Sequence, residues 1–153
     1  CPIYPLDATS TAAGGAGMRT MIRQTVFDKF DGHCAYCGKE ITIKEMQVDH
    51  FIPRNMGGTN NFLNLFPSCR RCNFYKHTLM LGEFRKLIQT LKNRVSNQFI
   101  VKIAIDYGIL KLNEWDGLFY FEKVLQKKLT DDDVHTLWMN EMANAISKAE
   151  AQE

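Results

Sequence analysis

The chain has 153 residues, of which 45% are apolar and 24% are charged, with 10 Gly, 4 Pro and a net charge of +2. These values fit one compact globular domain and exclude fibrous and low-complexity proteins. No stretch approaches the roughly 18 consecutive apolar residues of a membrane helix, and no basic-then-apolar signal peptide opens the chain. We therefore expect a cytoplasmic protein without a membrane partner.

The chain is predicted to divide into three parts. Residues 1–17 contain Pro2, Pro5 and a run of small residues that can bury almost nothing, so we interpret them as a flexible leader. Because Met18 follows directly, an added leader before a native start is the alternative. Residues 18–129 form the predicted functional domain, and residues 130–153 are predicted to form an acidic C-terminal helix.

Apolar spacing and turn residues predict the elements of the central part. A helix over residues 18–30 ends at Asp31-Gly32, and a strand over residues 46–52 ends at Pro53, which cannot continue a ladder. Helices are then predicted over residues 70–77, 84–95 and 99–107, and a further strand over residues 118–121.

The charge is unevenly distributed along the chain. Residues 18–129 contain 18 basic and 10 acidic side chains, a net charge of +8, whereas residues 1–17 carry −1 and residues 130–153 carry −5. A basic domain suits a polyanionic partner such as nucleic acid, because Lys and Arg neutralise phosphates and release counterions. On charge alone, a solvated basic surface explains the same numbers equally well.

Four of the five cysteines form two C-x-x-C pairs, Cys34 with Cys37 and Cys69 with Cys72, while Cys1 stands apart. This spacing lets both thiolates of a pair reach one tetrahedral ion, so the two pairs predict a four-thiolate structural zinc site. The 31 residues between the pairs indicate a substantial insertion. A thioredoxin-like redox pair and two disulfides are the alternatives; the first needs only one C-x-x-C, and a cytosol would reduce the second.

A series of short motifs lies between and after the two cysteine pairs. In order they are Asp49-His50-x-x-Pro53, Gly57-Gly58, Asn64-Leu65 and Cys69-x-x-Cys72-Asn73-x-x-Lys76. Over about residues 30–76 the chain resembles the HNH nuclease family, in its zinc-bound subgroup with two C-x-x-C knuckles. The joint match in order and spacing carries the resemblance, because a lone Asp-His pair would be weak evidence.

The resemblance implies an α+β fold with a zinc-stabilised ββα-metal (His-Me finger) core and accessory α-helices. It implies a metal-dependent DNA endonuclease, which hydrolyses phosphodiester bonds of single- or double-stranded DNA in a bacterium or a phage-infected cell. The matching positions make His50 the general base and Asn64 the residue that holds the intervening loop and orients the base. Asp49 and Asn73 match the ligands of the catalytic cation.

The residue types suit this chemistry independently of the resemblance. Hydrolysis of a phosphodiester needs a base for the attacking water and a cation for the developing negative charge. Histidine can act as that base near neutral pH, and the side-chain oxygens of Asp49 and Asn73 are hard ligands that suit Mg²⁺ or Mn²⁺. The alternatives are a structural role for His50, a turn position for Asp49 and a helix cap for Asn73.

Basic residues around the motifs are predicted to bind DNA. Arg54, Arg70 and Arg71 are candidate phosphate contacts, because arginine can bind phosphate oxygens bidentately. Lys76 is assigned to the same role, with a solvated helix position as its alternative, and His77 is a substrate contact at most. The second functional hypothesis is a zinc-containing module that binds nucleic acid but is catalytically inactive.

Overall fold

The computed structural model describes residues 15–133 and residue 136. The helices are α1 (Gly15–Asp28), α2 (Arg70–Lys76), α3 (Leu81–Gln89), α4 (Leu91–Ser96), α5 (Phe99–Asp106) and α6 (Tyr120–Leu125), and the strands are β1 (Gln47–His50) and β2 (Leu65–Ser68). The helix α1 begins inside the predicted leader. The rest of that leader and most of the predicted acidic C-terminal helix lie outside the described residues, so the three-part division stays a prediction.

The strands β1 and β2 form a two-stranded antiparallel sheet in which Asp49 pairs with Phe66 and His50 pairs with Leu65. The helix α2 begins two residues after β2 ends, so the chain order is strand, strand, helix. Pro53 follows β1 and starts a single 3-10 turn, as its missing backbone N–H predicts. The predicted α+β class, with a ββα core and additional helices, is confirmed.

The helix α1 is tied to the sheet region by two basic side chains. Arg23 donates hydrogen bonds to the backbone oxygens of Ile43 and Met46, at 2.7 and 2.8 Å. Lys29 donates to the backbone oxygen of Leu65 at 2.9 Å, and its ammonium group lies over the rings of Phe62 and Phe66. These contacts anchor α1 beside β2. Among the described residues, no helix has both the length and the apolar character to cross a membrane.

Aromatic rings form the centre of the core. Phe66 of β2 stacks on Phe51 with a centroid distance of 4.5 Å, and Phe121 packs edge-on against both rings. Phe84 of α3 stacks on Phe119 at 5.2 Å. Because large rings bury much apolar area in these stacked and edge-on arrangements, they join the ββα core to the segments that follow it.

The predicted strand over residues 118–121 is wrong, because α6 begins at Tyr120. The carboxylate of Glu122 accepts the backbone N–H of Phe119 at 2.8 Å, which caps the start of the helix. The N–H groups of Tyr120 and Phe121 donate to the backbone oxygens of Tyr36 and Ala35. A four-residue apolar run has no period that distinguishes a buried strand from the start of a buried helix.

The helix predicted over residues 84–95 is two helices, α3 and α4, which are separated at Thr90. Arg85 of α3 forms a buried ion pair with Glu122 of α6, with 2.5 Å between nitrogen and oxygen. Burial alone would raise the pKa of Glu122, but the hydrogen bonds from Arg85 and from two backbone N–H groups outweigh it and lower that pKa. This pair fastens α6 to α3.

Candidate active site and cysteine cluster

The four paired cysteines converge on one point. The sulfur atoms of Cys34, Cys37, Cys69 and Cys72 all lie within 4.8 Å of one another, and those of Cys37 and Cys69 are 3.9 Å apart. A Zn–S bond of about 2.3 Å separates tetrahedral sulfurs by about 3.8 Å. All four cysteines are free. The arrangement therefore fits a four-thiolate structural zinc ion and does not fit the two-disulfide alternative.

Local hydrogen bonds shape both C-x-x-C turns. Gly38 adopts a left-handed φ of 74°, and its N–H donates to the backbone oxygen of Cys34 at 2.9 Å. In the second turn, the sulfur of Cys69 accepts the N–H of Cys72 at 3.4 Å and caps the start of α2. Ala35 donates to the backbone oxygen of Pro67 at 2.8 Å, so the first turn is attached directly to β2.

The protonation of the cluster favours a cation. Hydrogen bonds from Cys34 and Cys72 lower the pKa of the Cys37 thiol to about 2. The hydrogen bond with Cys37 in turn raises the pKa of Cys34 to about 11, and hydrogen bonds with Cys34 and Cys37 raise that of Cys72 well above its ordinary value. The Cys37 thiolate is thus stabilised by hydrogen bonds from neighbouring thiols. A metal ion that binds all four sulfurs would displace the thiol protons.

Asp49 of β1 is completely buried, and its two carboxylate oxygens have different surroundings. Oδ2 accepts the hydroxyl of Tyr36 at 2.5 Å and lies 3.0 Å from the ammonium group of Lys76. Oδ1 is buried and has no hydrogen-bond partner among the described residues. Burial, together with the charge of Asp49 and the hydrogen bond to it, raises the pKa of Tyr36 well above its ordinary value. The Tyr36 hydroxyl therefore stays protonated and donates.

His50 follows Asp49 at the end of β1, and its ring is held at one nitrogen. Nε2 lies 2.8 Å from the side-chain oxygen of Asn60. Because a carbonyl oxygen can only accept, a neutral ring carries its proton on Nε2 and its lone pair on Nδ1. Nδ1 is buried, and no described residue forms a hydrogen bond with it. The ring is therefore held at Nε2, while Nδ1 has no partner among the described residues.

Asn73 lies in the interior of α2, and the residue that caps this helix is Cys69. The interpretation of Asn73 as a helix cap is therefore wrong. Its side chain is buried. Asp49 Oδ1, His50 Nδ1 and Asn73 Oδ1 are the buried side-chain atoms without a hydrogen-bond partner in the part of the chain that the structure describes. Buried polar atoms are normally hydrogen-bonded, so a water, an ion or a ligand is expected at these three atoms.

Asn64 holds the loop between the strands. Its Oδ1 accepts the N–H of Ile52 at 2.7 Å, while its Nδ2 donates to the backbone oxygens of Ile52 and Thr59 at 3.1 and 2.9 Å. Gly58 passes so close to this point that a Cβ atom there would lie 1.7 Å from the Ile52 oxygen. The close backbone approach explains Gly58, a left-handed φ of 90° explains Gly57, and the loop carries Asn60 to His50.

A model of the HNH endonuclease family matches residues 34–88, which include both cysteine pairs, Asp49, His50 and Asn73. We call this matched stretch, residues 34–88, the HNH segment. The chain is also similar to the CRISPR-associated endonuclease Cas9 of Corynebacterium diphtheriae, with 49% identity over 41 residues. That match covers 26% of this chain and 4% of the relative, so the chain spans only a small part of the length of that protein.

Among solved structures, the chain is similar to the type II-C Cas9 enzyme of Actinomyces naeslundii. The superposition has a TM-score of 0.41 and 21% sequence identity, and it covers 61% of this chain and 13% of the other.

The predicted DNA-binding residues of the HNH segment fall into two groups. Arg54, Arg70 and Arg71 are exposed, and their guanidinium groups make no ion pair or hydrogen bond with a described residue. Lys76 is different, because its side chain is wholly buried and its ammonium group contacts Asp49 and the backbone oxygen of His50. The assignment of Lys76 to a phosphate contact, and the alternative of a solvated position, are both wrong.

Two residues near the HNH motifs were missed by the sequence analysis. Tyr36 lies inside the first C-x-x-C turn and Asn60 lies in a polar loop, so neither has the spacing of a known motif. The signal for Asn60 is its place between the Gly-Gly motif and Asn64, which the loop must bring back to β1. Tyr36 offers no comparable signal, because an aromatic residue beside cysteines is most simply interpreted as part of the core.

Proposed function

We propose that this protein is a metal-dependent DNA endonuclease in which His50 is the general base. The observation that carries this proposal is the group of three buried atoms on Asp49, His50 and Asn73 that no described residue satisfies. In a module that only binds nucleic acid, three buried polar atoms without hydrogen bonds would destabilise the fold and serve no function. In a nuclease, they are the base and the ligands of a cation.

Each residue of the site has a separate role in the proposed hydrolysis. His50 accepts the proton of the attacking water at Nδ1, while Asn60 holds the ring by Nε2. Asn64 fixes the loop that carries Asn60. Asp49 Oδ1 and Asn73 Oδ1 would hold Mg²⁺ or Mn²⁺, whose hard character matches oxygen ligands. A cation bound there would neutralise the charge that develops on the phosphate and on the leaving oxygen.

The cysteine cluster is assigned a separate, structural zinc ion. Its four sulfurs can fill a tetrahedron, and a filled tetrahedron leaves no open position for substrate. The zinc would therefore stabilise the two turns that present Tyr36 and α2 to the site. A cytoplasmic location in a bacterium or in a phage-infected cell remains part of this proposal.

The test is cleavage of supercoiled plasmid with defined metals. Cleavage should require added Mg²⁺ or Mn²⁺ although the zinc remains bound, because an oxygen site exchanges ions more readily than four thiolates. Mild chelation should abolish nicking, and Mg²⁺ should restore it without refolding. Asp49→Asn should stay inactive at every Mg²⁺ concentration that saturates the wild type. Full cleavage after removal of all exchangeable divalent ions would rule out the second metal site.

The three exposed arginines are proposed to bind phosphate. Replacement of Arg70 or Arg71 by Ala should weaken DNA binding and reduce the slope of log affinity against log salt by about 1 for each phosphate that the variant no longer neutralises. The measurement is a fluorescence-anisotropy titration at several salt concentrations. Lys102→Ala, a change of a basic side chain on α5, is the control and should leave the slope unchanged. Equal slopes for wild type and both variants would contradict the assignment.

A further inference from the structure

We propose that Tyr36 is a positioning residue that couples the cysteine cluster to the cation-binding carboxylate of Asp49. The inference rests on the proposed function and adds one residue to it. The tyrosine hydroxyl donates to Asp49 Oδ2 at 2.5 Å, while Oδ1 of the same carboxylate has no partner among the described residues. The hydroxyl thus occupies one oxygen and leaves the other for the ion.

The position of Tyr36 in the chain makes the coupling direct. It lies between Cys34 and Cys37, so the turn that carries two zinc ligands also carries the phenol. The backbone of the turn is held on both sides: Ala35 donates to Pro67 of β2, and the backbone oxygen of Tyr36 accepts the N–H of Tyr120 at 3.0 Å. The phenol and the two cysteines therefore share one anchored backbone turn, and a shift of that turn would displace the hydroxyl.

The ring of Tyr36 has little freedom to compensate for such a shift. It is 3% exposed and packs edge-on against Phe84, Phe119 and Phe121, with centroid distances of 5.5, 5.8 and 6.2 Å. Close-packed aromatic neighbours permit few alternative rotamers. The place of the hydroxyl is consequently set by the turn and by the core, and it does not adjust to the carboxylate.

A second contact to Asp49 Oδ2 comes from the helix that begins at the other cysteine pair. Lys76 lies on α2, which Cys69 caps, and its ammonium group is 3.0 Å from the same Oδ2 atom. The Tyr36 hydroxyl and the Lys76 ammonium group thus contact the same carboxylate oxygen. Because Lys76 already supplies the opposite charge, the hydroxyl of Tyr36 is not needed for neutralisation. Its contribution is orientation of Oδ1.

An alternative role for the hydroxyl predicts the opposite change in cation affinity. A hydrogen bond withdraws negative charge from a carboxylate, so a hydroxyl that acted only by withdrawing charge would weaken cation binding. Its removal would then raise the affinity for the cation. If it orients Oδ1, its removal lowers the affinity, and partners of metal-binding carboxylates typically contribute roughly 10- to 100-fold.

The experiment measures Mn²⁺ binding to the zinc-loaded protein by the decrease of the free-ion electron paramagnetic resonance signal. Tyr36→Phe, which keeps the ring, should raise the Mn²⁺ dissociation constant by roughly 10-fold or more, with zinc content and melting temperature close to wild type. Tyr75→Phe is the matched control, because its ring also packs on Phe84 while its hydroxyl accepts a hydrogen bond from Arg94. Asp49→Asn identifies the Mn²⁺ signal that belongs to this site.

The outcomes are separable from those of the nuclease proposal. An unchanged or lower dissociation constant in Tyr36→Phe would overturn the coupling, even if the wild type cleaves DNA. A wild type that binds no Mn²⁺ at Asp49 would overturn it as well. A higher dissociation constant in Tyr36→Phe, together with a wild type that fails to cleave DNA, would uphold the coupling and contradict the nuclease instead.

Discussion

Replacement of His50 by Ala should lower the single-turnover rate of DNA cleavage by roughly 10²- to 10⁴-fold, the usual contribution of a general base. The variant lacks the Nδ1 lone pair that no other described group of the protein uses. DNA affinity should stay near that of the wild type, because it depends mainly on contacts between basic side chains and phosphate. Single-turnover cleavage and anisotropy titrations on the same preparations measure the two effects separately.

Two controls test whether the His50→Ala protein is folded and whether the missing group is a base. Zinc content and melting temperature should match those of the wild type, since the His50 ring is only partly buried and its one side-chain hydrogen bond to a described residue is with Asn60. Added imidazole should restore part of the rate if the missing group is a base. A His50→Ala protein that cleaves as fast as the wild type would make His50 a structural residue and would remove the mechanism.

Replacement of Cys69 by Ser should abolish stoichiometric zinc binding and unfold the domain or lower its melting temperature strongly. Apparent zinc-binding free energies in zinc-finger peptides are about 10–16 kcal/mol, which is as large as the entire stability of about 5–15 kcal/mol of a typical domain. Cys69 has two roles in the structure, because it belongs to the sulfur cluster and also caps α2. Elemental analysis and thermal denaturation by circular dichroism are the measurements.

Cys1→Ser is the matched control for the zinc site. It removes the one cysteine outside the two C-x-x-C pairs, so zinc content and melting temperature should not change. Wild-type protein purified without zinc and with four freely reactive thiols would contradict the four-thiolate site. A Cys69→Ser variant with wild-type stability would show that the ion does not support the fold.

The burial of Lys76 has a consequence for any mutational scan of basic residues. Removing its ammonium group would leave Asp49 buried without its ion-pair partner, and breaking a buried pair typically costs about 3–5 kcal/mol. A Lys76 variant that no longer cleaves DNA would therefore report damage to the site and to the fold. It would not identify a DNA contact, in contrast to the exposed Arg70 and Arg71.

Local patterns were sufficient for much of the fold and the site. The two C-x-x-C pairs predicted a four-sulfur cluster, and the cluster is present. The motif order around Asp49, His50 and Asn73 predicted their family. The helices predicted over residues 70–77 and 99–107 are present at residues 70–76 and 99–106. These features are readable because tetrahedral zinc ligation and helical period each impose a fixed spacing on the chain.

Other features depended on contacts between distant residues. The start of α6 at Tyr120 is set by backbone hydrogen bonds to the first cysteine turn and by the Arg85–Glu122 pair. These contacts produce no periodic pattern of apolar residues in the sequence. The sequence could not predict the burial of Lys76 either, because the charge of a lysine by itself predicts a solvated position. Tyr36 and Asn60 reach Asp49 and His50 across 13 and 10 residues of chain. Such contacts arise only when the chain is folded, because side-chain geometry in three dimensions decides which polar atoms meet.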